Sequence, residues 1–155
     1  MTVATQREIC SNSGGQLVFK KKSGPSGKRN QTFKNTSEPL DVRTIEGDGN
    51  CFFRALSFVI TGEEDQHAVV RSLICDYVAS TENIKVHVDK MRKDKVWGTT
   101  TEIFAAANMF SINIFTFAKF GASVTWHIHR PKGENVGESV YLTNICNHFN
   151  VVLRM

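Results

Sequence analysis

Hydrophobic residues are scattered over the first part of the chain and fall into regular patterns only from Leu40 onward. Val42 to Ile45 reads as a short extended piece. The polar loop Glu46-Gly47-Asp48-Gly49-Asn50 follows, then an apolar stretch from Cys51 to Ile60 that Gly62 closes. Within that stretch Phe52, Ala55, Leu56 and Val59 are spaced by three, one and three residues, which is one face of a helix. A second helix is predicted over about 65–80, where Val70, Leu73, Ile74, Tyr77 and Val78 repeat the spacing. Residues 82–96 read as helical or irregular. Thr99 and Glu102 have the three-residue separation of a capping box, opening a helix that runs through Ile103 to Ala107. Beyond it the pattern turns to β, with short runs rich in Val, Ile, Phe, Tyr and Trp at 112–117, 123–129, 139–142 and 150–154. Gly121, Pro131 with Gly133, and the turn at 144–147 divide them. Helices first and antiparallel strands second make an α+β domain.

Composition adds a boundary. The chain has 155 residues, 41% of them hydrophobic and 22% charged, which suits one soluble core and is too short for two substantial ones. The net charge of +4 is unevenly spread: residues 1–40 hold seven basic and two acidic residues, the remainder 12 and 13. Lys20-Lys21-Lys22-Ser23-Gly24-Pro25-Ser26-Gly27-Lys28-Arg29-Asn30 cannot support a packed core. Residues 1–38 are therefore expected to be a flexible basic tail and 39–155 the folded domain. The basic cluster reads first as a solvated linker and second as a nuclear-import or phosphate-binding patch. With Phe19 and Phe33 as its aromatics, any nucleic-acid contact through it would be weak and unspecific. No apolar run reaches the roughly 20 residues that cross a bilayer. The polar start does not read as a secretory signal, so cytosolic or nuclear residence is expected. Cys10, Cys51, Cys75 and Cys146 form no C-x-x-C pair, which fits free thiols in a reducing compartment.

The chemistry concentrates at the loop before the first helix. Gly47 and Gly49 flank Asp48 and let successive amides converge on one point, as an anion pocket requires. Asn50 is a strong N-cap type. It would place Cys51 in the first turn, where unpaired amides and the helix dipole favour a thiolate. A nucleophilic cysteine needs a histidine to take its proton and a third polar group to orient that histidine. His148 lies just ahead of the last predicted strand, and Asn150, two residues on, points to the same side of an extended segment.

The run Gly47-Asp48-Gly49-Asn50-Cys51-Phe52-Phe53-Arg54-Ala55-Leu56 resembles the signature of the ovarian-tumour (OTU) family of papain-like cysteine deubiquitinases. Trp97-Gly98 with Glu102-Ile103 resembles that family's W-G-x-x-x-E-[IL] block, with Thr99 where a second glycine is usual. His148-Phe149-Asn150 resembles its H-[FY]-[ND] block. The resemblance implies a papain-like fold, helices packed on a small, mainly antiparallel sheet. It implies that Cys51 attacks the carbonyl of the C-terminal glycine of ubiquitin or a ubiquitin-like protein, that His148 is general base and then acid, and that Asn150 orients His148. Asp48, mainly through its backbone, and the Cys51 amide would stabilise the oxyanion. It implies no cofactor and no metal, and a monomer acting on ubiquitin or polyubiquitin chains. The competing reading is a catalytically silent ubiquitin-binding module on the same fold.

Other residues have simpler readings. His127 and His129 share a strand face but lack further ligands with fixed spacing, so a metal site is disfavoured. Cys75 lies on an apolar helix face and reads as core, and Cys146 as loop packing. Trp97 reads as an aromatic anchor and Glu102 as a capping partner.

Overall fold

A computed structural model describes residues 38–133 and 138–155, and the basic residues of the leading segment fall outside them. The described residues form β1 (Asp41–Arg43), α1 (Cys51–Thr61), α2 (His67–Thr81), α3 (Lys85–Met91) and α4 (Thr100–Phe110). These are followed by β2 (Asn113–Phe120), β3 (Ser123–His129), β4 (Ser139–Ile145) and β5 (His148–Arg154). The expected order of helices then strands holds, with α3 occupying the stretch left open between helix and loop.

The strands form one sheet in the order β1-β5-β4-β2-β3. The pairings β1/β5, β4/β5 and β2/β3 are antiparallel, whereas β2 and β4 run parallel, with Ile114 opposite Val140 and Thr116 opposite Leu142. Residue alternation does not distinguish the two directions, so this departure from an all-antiparallel sheet had no local signal. It follows from connectivity: β3 pairs with one side of β2 and β4 with the other, so the chain recrosses the end of β2 before re-entering the sheet.

Helix α1 lies at the centre. Phe52, Phe53, Ala55 and Leu56 are all buried, packed with Val70 and Ile74 of α2 and with Phe149 and Val151 of β5 in one core. The Phe52 ring lies 5.2 Å from that of Phe149, joining helix to strand beside the residues of chemical interest. Full burial of such side chains contributes roughly 1.5–3 kcal/mol each, which fixes α1 against β5 far more firmly than helix propensity would. Gly62 ends α1 in the left-handed region (φ 88°), its N–H donating to Phe58 O at 2.8 Å.

At the start of α4 the expected capping box is present: Thr99 N–H donates to Glu102 Oε2 at 2.7 Å, and Thr99 Oγ1 accepts from Thr101 N–H. Glu102 is also buried and paired with His87 of α3, so the cap ties two helices together. Among the described residues no helix is long and apolar enough to cross a membrane.

Candidate active site

The loop from Gly47 to Asn50 is shaped by contacts its own sequence only partly announces. Gly49 sits at φ +86°, and a Cβ there would lie 2.1 Å from the Lys95 carbonyl oxygen, so only glycine fits between this loop and the segment before α4. Asp48 accepts from Arg54 Nη2 at 2.7 Å and Nε at 3.1 Å, and from the Asn50 backbone amide at 3.0 Å. Its pairing with Arg54 holds the Asp48 carboxyl well below the usual carboxylate range, against a smaller opposing effect of burial. The Asp48 side chain therefore stitches the loop to α1, work that the sequence reading had not given it.

Asn50 departs from expectation. It occupies the N-cap position of α1 but its side chain makes no capping hydrogen bond. The carboxamide turns inward instead, accepting from Arg71 Nη2 (2.7 Å) and Lys95 N–H (3.0 Å) and donating to Asp48 Oδ2 (3.1 Å) and Asp94 Oδ1 (3.0 Å). A fully buried carboxamide with four partners satisfies itself better than a cap, which would leave the others unmet. Cys51 is nonetheless in the first turn. The first i to i−4 bond of α1 runs from Arg54 N–H to Asn50 O (2.8 Å), so the Cys51 amide lies ahead of the helical ladder.

The histidine arrives from the sheet. Cys146 and Asn147, at φ 53° and 60°, form the two-residue turn between β4 and β5, the left-handed pair that suits the twist of a hairpin. That turn brings the Asn147 carbonyl to Cys51, whose thiol donates to it across 3.9 Å. His148, the first residue of β5 rather than the residue before it, pairs with Ile145 across the turn. Its ring lies against Gly47, where a Cβ would come within 3.6 Å of Nδ1.

The tautomer of His148 follows from one oxygen. Asn150 Oδ1 accepts from the Ile45 backbone N–H at 2.8 Å and sits 3.0 Å from His148 Nε2. An atom that accepts from a backbone amide is the carboxamide oxygen, so Nε2 must be the donor and carry the ring proton. Nδ1 is left with its lone pair free to accept another. Oriented this way, the imidazole presents Nδ1 on the side of the Gly47 loop.

A cavity of about 330 Å³ adjoins this junction, lined by Trp97, Gly98, Thr99, Ile103, Asn147 and Phe149 among others. Trp97, read from the sequence as an aromatic anchor, is 54% exposed on its rim. Gly98 is required by packing, since a Cβ would meet the Phe52 ring at 2.8 Å.

Among the described residues no group of three His, Cys, Asp or Glu could hold a metal. His129 is buried, its Nε2 is 3.3 Å from Thr116 Oγ1, and burial lowers its pKa, while His127 is exposed. Cys75 is buried, which raises its thiol pKa, and Cys146 is exposed rather than packed in a loop. The residues that sequence reasoning missed are Arg71, Asp94 and Lys95. Arg71 had a visible signal: it is a cation on the 71, 74, 75, 78 stripe, which the fold buries.

A family model for OTU-like cysteine proteases matches residues 46–150. Over 93 residues the chain is 29% identical to the Arabidopsis thaliana protein "OVARIAN TUMOR DOMAIN-containing deubiquitinating enzyme 6", covering 53% of this chain and 18% of that one. The fold is similar to the OTUD1 OTU domain (TM-score 0.63, 22% identity, 71% of this chain and 83% of that one). It is also similar to the Hazara virus OTU bound to ubiquitin (TM-score 0.61, 17% identity, 74% and 81%). The chain spans only about a fifth of the length of the curated relatives it matches.

Proposed function

Because this chain belongs to the OTU-like cysteine protease family, we propose that it is a deubiquitinase, cleaving peptide or isopeptide bonds after the C-terminal glycine of ubiquitin through a thioester on Cys51. The observation that carries the reading is the shared oxygen of Asn150. By accepting from Ile45 N–H and from His148 Nε2–H, it leaves Nδ1 as a base on a hairpin whose turn touches the Cys51 sulfur. The names of the relatives, one a deubiquitinating enzyme and one solved with ubiquitin bound, support the choice of substrate.

In the reaction, His148 Nδ1 takes the thiol proton and the Cys51 sulfur attacks the glycine carbonyl. The oxyanion so formed is met by the Cys51 amide at the start of α1 and by the backbone around Asp48. Donors of this kind lower a barrier by about 3–4 kcal/mol each. His148 returns its proton to the departing lysine amine, the intermediate collapses to a thioester, and a water activated by the same ring releases ubiquitin. The substrate chain is assigned to the cavity lined by Trp97 and Asn147, the residue whose carbonyl faces the Cys51 thiol. No step calls on a metal or cofactor.

A panel of diubiquitin linkages incubated with the wild type and with Cys51→Ala tests the reading. Monoubiquitin released from at least one linkage by the wild type alone supports it. Tight binding with no cleavage of any linkage would favour the silent ubiquitin-binding module instead.

A further inference from the structure

Below the nucleophile loop lies a charged side chain that the mechanism above does not use. Arg71 is 4% exposed, and its guanidinium donates through Nη1 to Met91 O at 2.8 Å and through Nη2 to Asn50 Oδ1 at 2.7 Å and lies 4.0 Å above the Phe53 ring. Both acceptors are neutral. Burial disfavours the cation there, as its lowered pKa reflects, and an apolar residue of like size would pack without that penalty. The feature such a residue could not supply is a directed donor for Asn50. Asn50 immediately precedes Cys51, and its carboxamide has two donor and two acceptor positions. All of them are filled, by Arg71, the Lys95 amide, Asp48 and Asp94. Three of those partners also bound the loop: Asp48 belongs to it, the Lys95 carbonyl packs on Gly49, and Asp94 precedes Lys95.

We propose that Arg71 is a positioning residue that acts through Asn50, holding the Gly47–Cys51 backbone so that its amides point at the site of the developing oxyanion. Its catalytic consequence rests on the deubiquitinase reading above, whereas its effect on loop order does not. Arg71 touches no reacting atom. Its loss acts on the transition state, where amide direction matters most, and leaves substrate capture at the exposed rim alone.

The test compares Arg71→Met, Arg71→Lys and the surface variant Asp94→Ala with the wild type by two readouts. The first is hydrolysis of ubiquitin carrying a C-terminal fluorogenic amide, with kcat expressed per active site titrated by a thiol-reactive ubiquitin. The second is hydrogen exchange of peptides covering 46–54 and covering α2 and α4. For Arg71→Met the expected result is kcat per titrated site lower by about 10–100-fold with KM within about twofold. The limbs of the pH profile stay in place, and exchange is faster in 46–54 alone. Arg71→Lys, which keeps the charge but not the two-pronged geometry, recovers part of the loss. Asp94→Ala, on an exposed partner, shows the same direction at roughly threefold and serves if the Met variant does not fold. Unchanged kcat per titrated site and unchanged exchange at 46–54, with only a lower melting temperature, would overturn the proposal. A wild type that turns over no ubiquitin substrate defeats the deubiquitinase reading instead, and the exchange comparison then still decides whether Arg71 orders the loop.

Discussion

The two halves of the site are held in opposite ways. On the sheet side, His148 is fixed by a neighbour two residues away, a tight turn and one backbone amide from Ile45. On the helix side, Cys51 is fixed by a polar network, buried at Asn50 and Arg71, that gathers Asp48, Asn50, Arg54, Arg71, Asp94 and Lys95, residues from three separate stretches of chain. Apart from that one distant amide His148 is positioned locally, whereas Cys51 depends on side chains drawn together from across the chain. Damage to the base side should therefore stay in catalysis, while damage to the nucleophile side should spread into stability.

The largest expected effect is common to both halves. Cys51→Ala should abolish turnover, at least about 10⁴-fold in kcat, while leaving the melting temperature nearly unchanged, as judged by steady-state assay and thermal unfolding. Next comes Gly49→Ala. It places a Cβ against the Lys95 carbonyl at a positive φ, and we expect a loss of about 3 kcal/mol or more of stability in chemical denaturation. Little change there would break the claim that the nucleophile half depends on distant contacts.

Asn150→Ala should then lower kcat by about 10–100-fold with a stability loss of only about 1–2 kcal/mol, from the Ile45 amide left without its acceptor. A stability loss as large as that of Gly49→Ala would erase the contrast between the halves. The smallest effect is in pH dependence. The Asp48 carboxyl is depressed by Arg54 in the folded state, so the stability it contributes is full above the ordinary carboxylate value of about 4 and is lost as pH falls below it. Asp48→Asn should flatten that acid limb of the unfolding curve, and an unchanged limb would show that the ion pair does not stabilise the loop.

The same contrast explains what could be read beforehand. His148 and Asn150 were legible because strand alternation puts residues two apart on one side, and the Thr99–Glu102 cap because its pattern spans three positions. The placement of Asn50 at the N-cap was legible from its residue type, but the lack of a capping hydrogen bond was not, because only the fold reveals a guanidinium and a distant amide competing for its oxygen. The parallel β2/β4 pairing and the exposure of Trp97 are likewise properties of how elements meet, which no short window of sequence contains. OTU family membership reached Asp48 and Cys51 through their motif but not Arg71, whose role is visible only in three dimensions.

The central claim is that Cys51 is a nucleophile aimed at the C-terminus of ubiquitin and activated by His148. Its most direct test is the intact mass of the protein after incubation with a ubiquitin whose C-terminal carboxyl is replaced by a thiol-reactive group. The account predicts one ubiquitin added to the wild type, none to Cys51→Ala and markedly slower addition to His148→Ala. A wild type left unmodified, or a Cys51→Ala protein modified as fast as the wild type, would contradict it.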